Sequence, residues 1–204
     1  MIVIGITGSI GMGKTTIAQM LKRFNIPVFD SDKEVKDILE NNNLVKDQVY
    51  KLWPDVILNR ANEKKIDKNL LGRKIFTHRE NRKILENIVH PMVHKRRNCF
   101  IKSANKSFII ALDVPLLYET GTDKVCDDIF LVYTSDKKQE ARVLARPNMT
   151  LKKFNLIKNA QWSTQMKREK NPYLISTSYG RITSFMIISL YLIIIIFKKR
   201  VLKL

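Results

Sequence analysis

The sequence predicts an α/β fold, a mostly parallel sheet of about five strands flanked by helices. Three observations predict it. Residues 2–6, 108–113 and 128–133 are short apolar runs without polar alternation, the pattern of strands buried on both faces. The segments between them carry apolar residues at helical spacing instead, as at Ile17, Met20 and Leu21 or at Ile84, Leu85 and Ile88. A glycine-rich turn joins the first strand to the first helix. Strands that alternate with helices in this way form a parallel sheet.

The elements follow in order. Residues 2–6 are the first strand and 15–24 the first helix. Residues 27–30 form a second, shorter strand that ends in acidic residues. From 33 to 106 the pattern is helical and heavily charged, and no run of β-branched residues interrupts it. This stretch is too long for a simple crossover and reads as a helical insertion of more than one element, in which Pro91 marks a helix start. The third and fourth strands are 108–113 and 128–133. A helix over 137–144 is broken by Pro147, and Thr150 caps another that runs from 151 through 161. Residues 173–175 supply a fifth strand.

The chain of 204 residues fits one domain with insertions and can bury a core without staples. Cys99 and Cys126 lie far apart and form no ligand-type pair, which suits reduced thiols in the cytoplasm. The formal net charge of +18 is spread along the chain rather than gathered in a block. It reads as general solubility charge, not as a specific nucleic-acid site, and its field would attract polyphosphates. No basic n-region or cleavage site opens the sequence.

Gly8-Ser9-Ile10-Gly11-Met12-Gly13-Lys14-Thr15 fits G-x-x-x-x-G-K-[ST] at every fixed position. The glycines let successive backbone N–H groups turn inward toward phosphate oxygens. The helix that follows aims its positive dipole end at the same anion. Lys14 neutralises β- and γ-phosphate charge, and the Thr15 hydroxyl ligates Mg²⁺. The strand before and the helix after separate this motif from a chance glycine turn. A GTPase would need D-x-x-G after a strand and N-K-x-D for guanine. Asp113 is followed by Val114-Pro115-Leu116, and Asn105-Lys106-Ser107-Phe108 lacks the aspartate, so that class is excluded. A small-molecule kinase using Mg·ATP suits the size.

The set of motifs resembles the dephospho-coenzyme A kinase family. The matching pieces are the loop with Gly5-Ile6-Thr7 before it, Phe29-Asp30-Ser31-Asp32, Leu71-Gly72-Arg73-Lys74-Ile75-Phe76, His90-Pro91 and Asp113-Val114-Pro115-Leu116-Leu117-Tyr118-Glu119. Arg142, Arg146, Met149-Thr150 and Gln161 follow. They cover roughly residues 1–170 in family order. The resemblance implies a P-loop kinase core over 1–32 and 107–136, an acceptor-binding insertion over 33–106 and a lid over 137–160. It implies transfer of the ATP γ-phosphate to the ribose 3′-hydroxyl of dephospho-coenzyme A, with Mg²⁺ as cofactor. Other small P-loop nucleoside or nucleotide kinases, and a nucleotide-binding protein impaired in catalysis, stand as alternatives.

Each residue has a role in that reading. Asp32 is the candidate general base, since transfer to a hydroxyl needs a carboxylate to take its proton. Its rival is Asp30, and its bland alternative is a helix N-cap. Lys14 and Arg142 join Asp32 as catalytic residues. Gly8, Gly11, Met12, Gly13, Lys14, Thr15, Thr16 and Arg146 are assigned to ATP. Thr7, Asp32, Arg73, His90, Pro115 and Leu116 are assigned to the acceptor. Thr15 and Asp113 hold Mg²⁺, directly or through water, and Glu119 belongs near the same cluster. His90 and His94 stand at i and i+4, but no Glu completes an H-E-x-x-H zinc motif. Arg142 and Arg146 sit one turn apart on a helix resembling the family's lid, where arginines clamp phosphates.

Beyond about residue 170 the resemblance fades, and the C-terminal part reads as divergent or frameshifted. Residues 185–197 are apolar but for Ser189, and Lys198-Lys199-Arg200 follow. That apolar run falls short of the ~20 residues a spanning helix needs. Residues 181–204 are therefore expected to lie outside the catalytic fold, with membrane association not expected although the apolar run leaves room for it.

Overall fold

The computed structural model describes residues 1–60 and 63–201, with the backbone alone at 59, 60, 63, 64, 76 and 79. In chain order the elements are β1 (Ile2–Thr7), α1 (Lys14–Arg23), β2 (Val28–Asp30), α2 (Ser31–Asn41) and α3 (Asn43–Leu52). They continue with β3 (Ile57–Arg60), β4 (Glu63–Ile66), α4 (Lys68–Thr77), α5 (Arg79–Ser103) and β5 (Ile109–Asp113). The chain then forms β6 (Asp128–Tyr133), α6 (Asp136–Leu144), α7 (Leu151–Asn159), α8 (Thr164–Arg168), β7 (Tyr173–Ser176) and α9 (Arg181–Val201). Contacts divide it into two units, Met1–Phe29 with Ala104–Leu204, and Asp30–Ser103.

The first unit is built on a five-stranded parallel sheet in the order β2-β5-β1-β6-β7. All six residues of β1 and all five of β5 are buried, which is why both read as unbroken apolar runs. Their register pairs Ile6 with Asp113, so an acidic side chain ends β5 beside the point where β1 gives way to the glycine loop. On the other flank β6 pairs with β1 and with β7. Ile17 and Leu21 of α1 pack under the sheet with Ile2, Ile4, Ile6, Phe130 and Val132. α1 is amphipathic and ends in Lys22 and Arg23, which suit the negative end of its dipole.

The second unit holds α2 to α5. Asp30 caps α2, Asn42 caps α3 and Asp67 caps α4, each through a side-chain oxygen that accepts backbone N–H groups. Arg96 on α5 donates to Glu34 at 2.8 Å and also to Asp37, which ties α2 to α5. The Arg96 guanidinium holds the Asp37 carboxyl below its ordinary value. Two features differ from the sequence reading. The insertion is not wholly helical, because β3 and β4 form an antiparallel hairpin that pairs Ile57 with Ile66. And Pro91 does not start a helix; it lies inside the 25-residue α5. Proline deletes one backbone donor there. Pro91 is exposed, so water can take the carbonyl left over.

The largest departure is at the C-terminal side. Residues 181–201 do not stand apart from the fold. α9 packs against β7 and α1, and Ile188, Leu192 and Ile195 belong to the same apolar core as β1 and α1. The Ser184 hydroxyl donates to the Ser176 carbonyl at 3.1 Å, and the Tyr191 hydroxyl to the Leu174 carbonyl at 3.2 Å. The helix is also longer than the apolar run suggested. Its 21 residues are enough, by length and composition, to cross a bilayer, and it is the one such helix among the described residues.

Ile188 is fully buried. Ile188→Ala should cost about 2–5 kcal/mol, the range for truncating a buried aliphatic side chain. Truncation after Gly180 should lower solubility and the thermal midpoint, both read by melting and by the soluble fraction on expression. A truncated chain that melts like the full one would show that α9 is dispensable to the core.

Candidate active site

The loop between β1 and α1 is fixed by its own backbone. Gly8 has φ 150°, and a Cβ there would run into the Val132 carbonyl oxygen of β6. Gly11 has φ 78°, and a Cβ would lie 2.5 Å from Val143 of α6. Only glycine suits either position. Gly13 is the N-cap of α1, and its carbonyl accepts the N–H groups of Thr16 and Ile17. The Lys14 ammonium reaches back across the loop to the Gly8 carbonyl at 2.9 Å. The result is a turn of backbone donors at a helix N-terminus with a lysine over it, the arrangement that binds phosphate.

Neighbouring segments brace this loop. Ile10 is held on both of its backbone groups: its N–H donates to Gln161 at 3.1 Å, and its carbonyl accepts from Gln139 at 2.7 Å. Met12 is also held twice, once through its backbone and once through its side chain. Its carbonyl accepts from the Thr177 hydroxyl at 2.8 Å, and its sulfur accepts from the Thr134 N–H at 3.2 Å. Arg142 in turn donates to the Thr177 hydroxyl and carbonyl at 2.8 and 2.9 Å. Arg142 therefore stands within one side chain of the phosphate loop. Arg146 differs from expectation: α6 ends at Leu144, so Arg146 lies past its C-cap rather than one turn along it.

The end of β5 is fixed by a buried ionic cluster. Thr7 is fully buried, and its hydroxyl donates to the Pro115 carbonyl at 3.1 Å. The ammonium of Lys167, also fully buried, donates to the same carbonyl at 3.0 Å and lies 3.2 Å from the Glu119 carboxylate. Glu119 further accepts the Trp162 N–H at 2.7 Å, and Tyr118 stacks on the Trp162 ring. Burial lowers the Lys167 pKa, the Glu119 carboxylate opposes that shift, and the nearby Lys14 charge adds to it. Burial likewise pushes the Tyr118 phenol up to about 12, so it stays neutral.

In the second unit, Asp30 rather than Asp32 is the cap of α2, accepting the Lys33 N–H at 3.0 Å. Capping is thus not the role of Asp32, which is exposed in the first turn of α2, two residues beyond β2. Arg73 is exposed on α4. His90 and His94 stack with centroids 6.0 Å apart on α5. Burial and the charges of Arg97 and His90 lower the His94 pKa. Among the described residues no group of three or more His, Cys, Asp or Glu is placed to hold a metal ion.

The site was partly hidden from the sequence. Gln139, Lys167 and Thr177 carry the braces yet match no motif. Gln161 was visible only through the family resemblance.

Fold and loop together define a P-loop kinase. The family model for dephospho-CoA kinase matches residues 2–180. A dephospho-CoA kinase of Nitrobacter winogradskyi is 36% identical over 182 residues, 88% of each chain. The chain belongs to the dephospho-CoA kinase family. A crystal structure from Thermus thermophilus superposes with a TM-score of 0.79 at 26% identity, covering 94% of this chain and 96% of its own. The dephospho-CoA kinase of Campylobacter jejuni shares the fold, with a TM-score of 0.66 at 23% identity over 92% and 95% of the two chains. The family match runs on past residue 170 and takes in β7 and Thr177.

Glu119→Gln keeps the shape at the β5 end but leaves the Lys167 ammonium buried without its counter-charge. Breaking such a pair from one side costs about 3–5 kcal/mol. The double change Glu119→Gln with Lys167→Met should recover much of that loss in denaturant unfolding. A single variant as stable as the parent would remove the ionic pair from the account of this site.

Proposed function

We propose that this chain phosphorylates the ribose 3′-hydroxyl of dephospho-coenzyme A with ATP, giving coenzyme A and ADP. The observation that carries the reading is the braced phosphate loop within a segment that the family model matches from end to end. In this reading the acceptor oxygen bonds to the γ-phosphorus as the bond from that phosphorus to the bridging oxygen of ADP breaks. The Asp32 carboxylate takes the hydroxyl proton. Lys14 offsets charge on the moving phosphoryl group, and the backbone N–H groups of the loop hold the remaining phosphates.

Gly8, Gly11, Met12, Gly13, Thr15 and Thr16 form the ATP loop in this proposal, with Arg142 and Arg146 as its arginines. Thr7, Arg73, His90, Pro115 and Leu116 are assigned to the acceptor. Kinases of this family use ATP with a divalent metal. The donors available here, the Thr15 hydroxyl and the Asp113 carboxylate, are both hard oxygens and fit Mg²⁺. Such an ion would neutralise phosphate charge. The cytoplasm, where both substrates occur, is the location that goes with this reading.

A turnover assay of the purified chain with dephospho-coenzyme A, set against nucleoside and nucleotide acceptors, tests the acceptor. Preference for a nucleoside would replace the reading with another P-loop kinase. ATP binding without turnover on any acceptor would leave a nucleotide-binding protein. Lys14→Ala should cut turnover by about a hundredfold or more with the melting curve unchanged. Asp32→Asn should leave ATP binding intact while transfer collapses. If Asp30→Asn cripples transfer at unchanged stability and Asp32→Asn does not, Asp30 is the base.

A further inference from the structure

α9 has two apolar faces, and the fold uses one. Ser184, Ile188, Leu192 and Ile195 are buried. Ile182, Met186, Leu190, Ile193, Phe197 and Val201 recur at steps of four, four, three, four and four residues, a single stripe on the opposite side of the helix. Each of these is between 56% and 80% exposed. A continuous apolar stripe of this length at the surface marks an interaction face.

Charge says what it meets. Arg181 and Arg200 are exposed at the two ends of α9. Lys22 and Arg23 are exposed at the end of α1, which packs beside α9 and stacks Phe24 on Phe185 at 5.0 Å. Basic residues thus flank the stripe, and the whole chain carries +18. Pairing with a second copy through this face would bring like charges together. We propose that the outer face of α9 docks on an anionic phospholipid bilayer, the apolar stripe entering the interface and the basic flanks meeting lipid phosphates.

The helix lies on such a surface and does not cross it. Crossing would place lipid around every side, and α9 commits one side to β7 and α1. Lys198 and Lys199 also tie its last turn to Asp128 and Asp127, at 4.0 and 3.4 Å. The exposed stripe faces away from the side of α9 that packs on β7 and α1, so docking through it is separable from the kinase chemistry.

Full-length protein sedimented with phosphatidylcholine vesicles, and with vesicles that also contain phosphatidylglycerol, provides the test. Partition should be about tenfold or more stronger onto the anionic vesicles and should fall in high salt. The exposed double variant Leu190→Glu with Ile193→Glu should lose it while melting and kinase turnover stay unchanged. Arg200→Glu, which leaves the stripe intact, should weaken it. The proposal is overturned if anionic vesicles bind no more than neutral ones, or if the double variant, folded, still binds. It is equally overturned if light scattering finds a dimer that the double variant dissolves, or if bound protein resists carbonate extraction, which would make α9 a spanning helix.

Discussion

No side chain larger than hydrogen fits at Gly8, because the Val132 carbonyl occupies the space a Cβ would take. This close approach of the loop to β6 sets the geometry of the rest of the first unit. It places Met12 where the Thr134 N–H and the Thr177 hydroxyl can hold it, and so joins the loop to the ends of both β6 and β7. β7 in turn offers the carbonyls of Leu174 and Ser176 to α9. The phosphate loop, the last strand and the last helix are therefore one connected piece of structure. Preorganised donors stabilise a transferring phosphoryl group because they need not reorient when it moves. Here the rigidity behind that preorganisation comes from residues up to 165 positions away in sequence.

The buried Lys167–Glu119 pair shows the other side of that rigidity. Removing an ammonium from water costs several kcal/mol, and the attraction of Glu119 returns that only with good geometry and further hydrogen bonds. The Pro115 carbonyl and the Trp162 N–H supply them. Such a cluster adds little net stability over an apolar one. It does fix one arrangement, because every shifted alternative leaves a buried charge unanswered. The segment it fixes begins at Asp113, where the metal and acceptor roles of the proposal converge.

What the sequence made legible follows from where physical constraint is local. β1 and β5 are buried on both faces, so each appears as an apolar run, and the glycine loop between β1 and α1 appears because backbone shape dictates residue type there. The hairpin of β3 and β4 escaped because neither strand has an apolar face, as Glu63-Lys64-Lys65 shows. Pro91 misled because proline, read as the start of a helix, does not reveal that it sits inside one at a position facing water. α9 misled because apolar residues surround it, and periodicity finds no buried side when no polar side contrasts with it. In the site, Lys14 and Thr15 were visible through their motif, whereas Lys167 is one of 37 lysines and arginines and only burial distinguishes it. Gln139 and Thr177 act through single hydrogen bonds that leave no pattern at all.

Parallel pairing also has a consequence for how the chain reaches this state. β1 is synthesised well before its partners, which are β5, in register Ile2 with Ile109, and β6, in register Ile4 with Asp128. The central strand therefore waits, unpaired and apolar but for Thr7, while more than a hundred residues are made. Residues 30–103, which cluster as a compact unit, can condense meanwhile from local helices. Non-local closure of this kind is slow and leaves apolar surface exposed during the delay. Refolding should accordingly be limited by assembly of the sheet around β1, with the helical segment already formed when the nucleotide loop takes its shape.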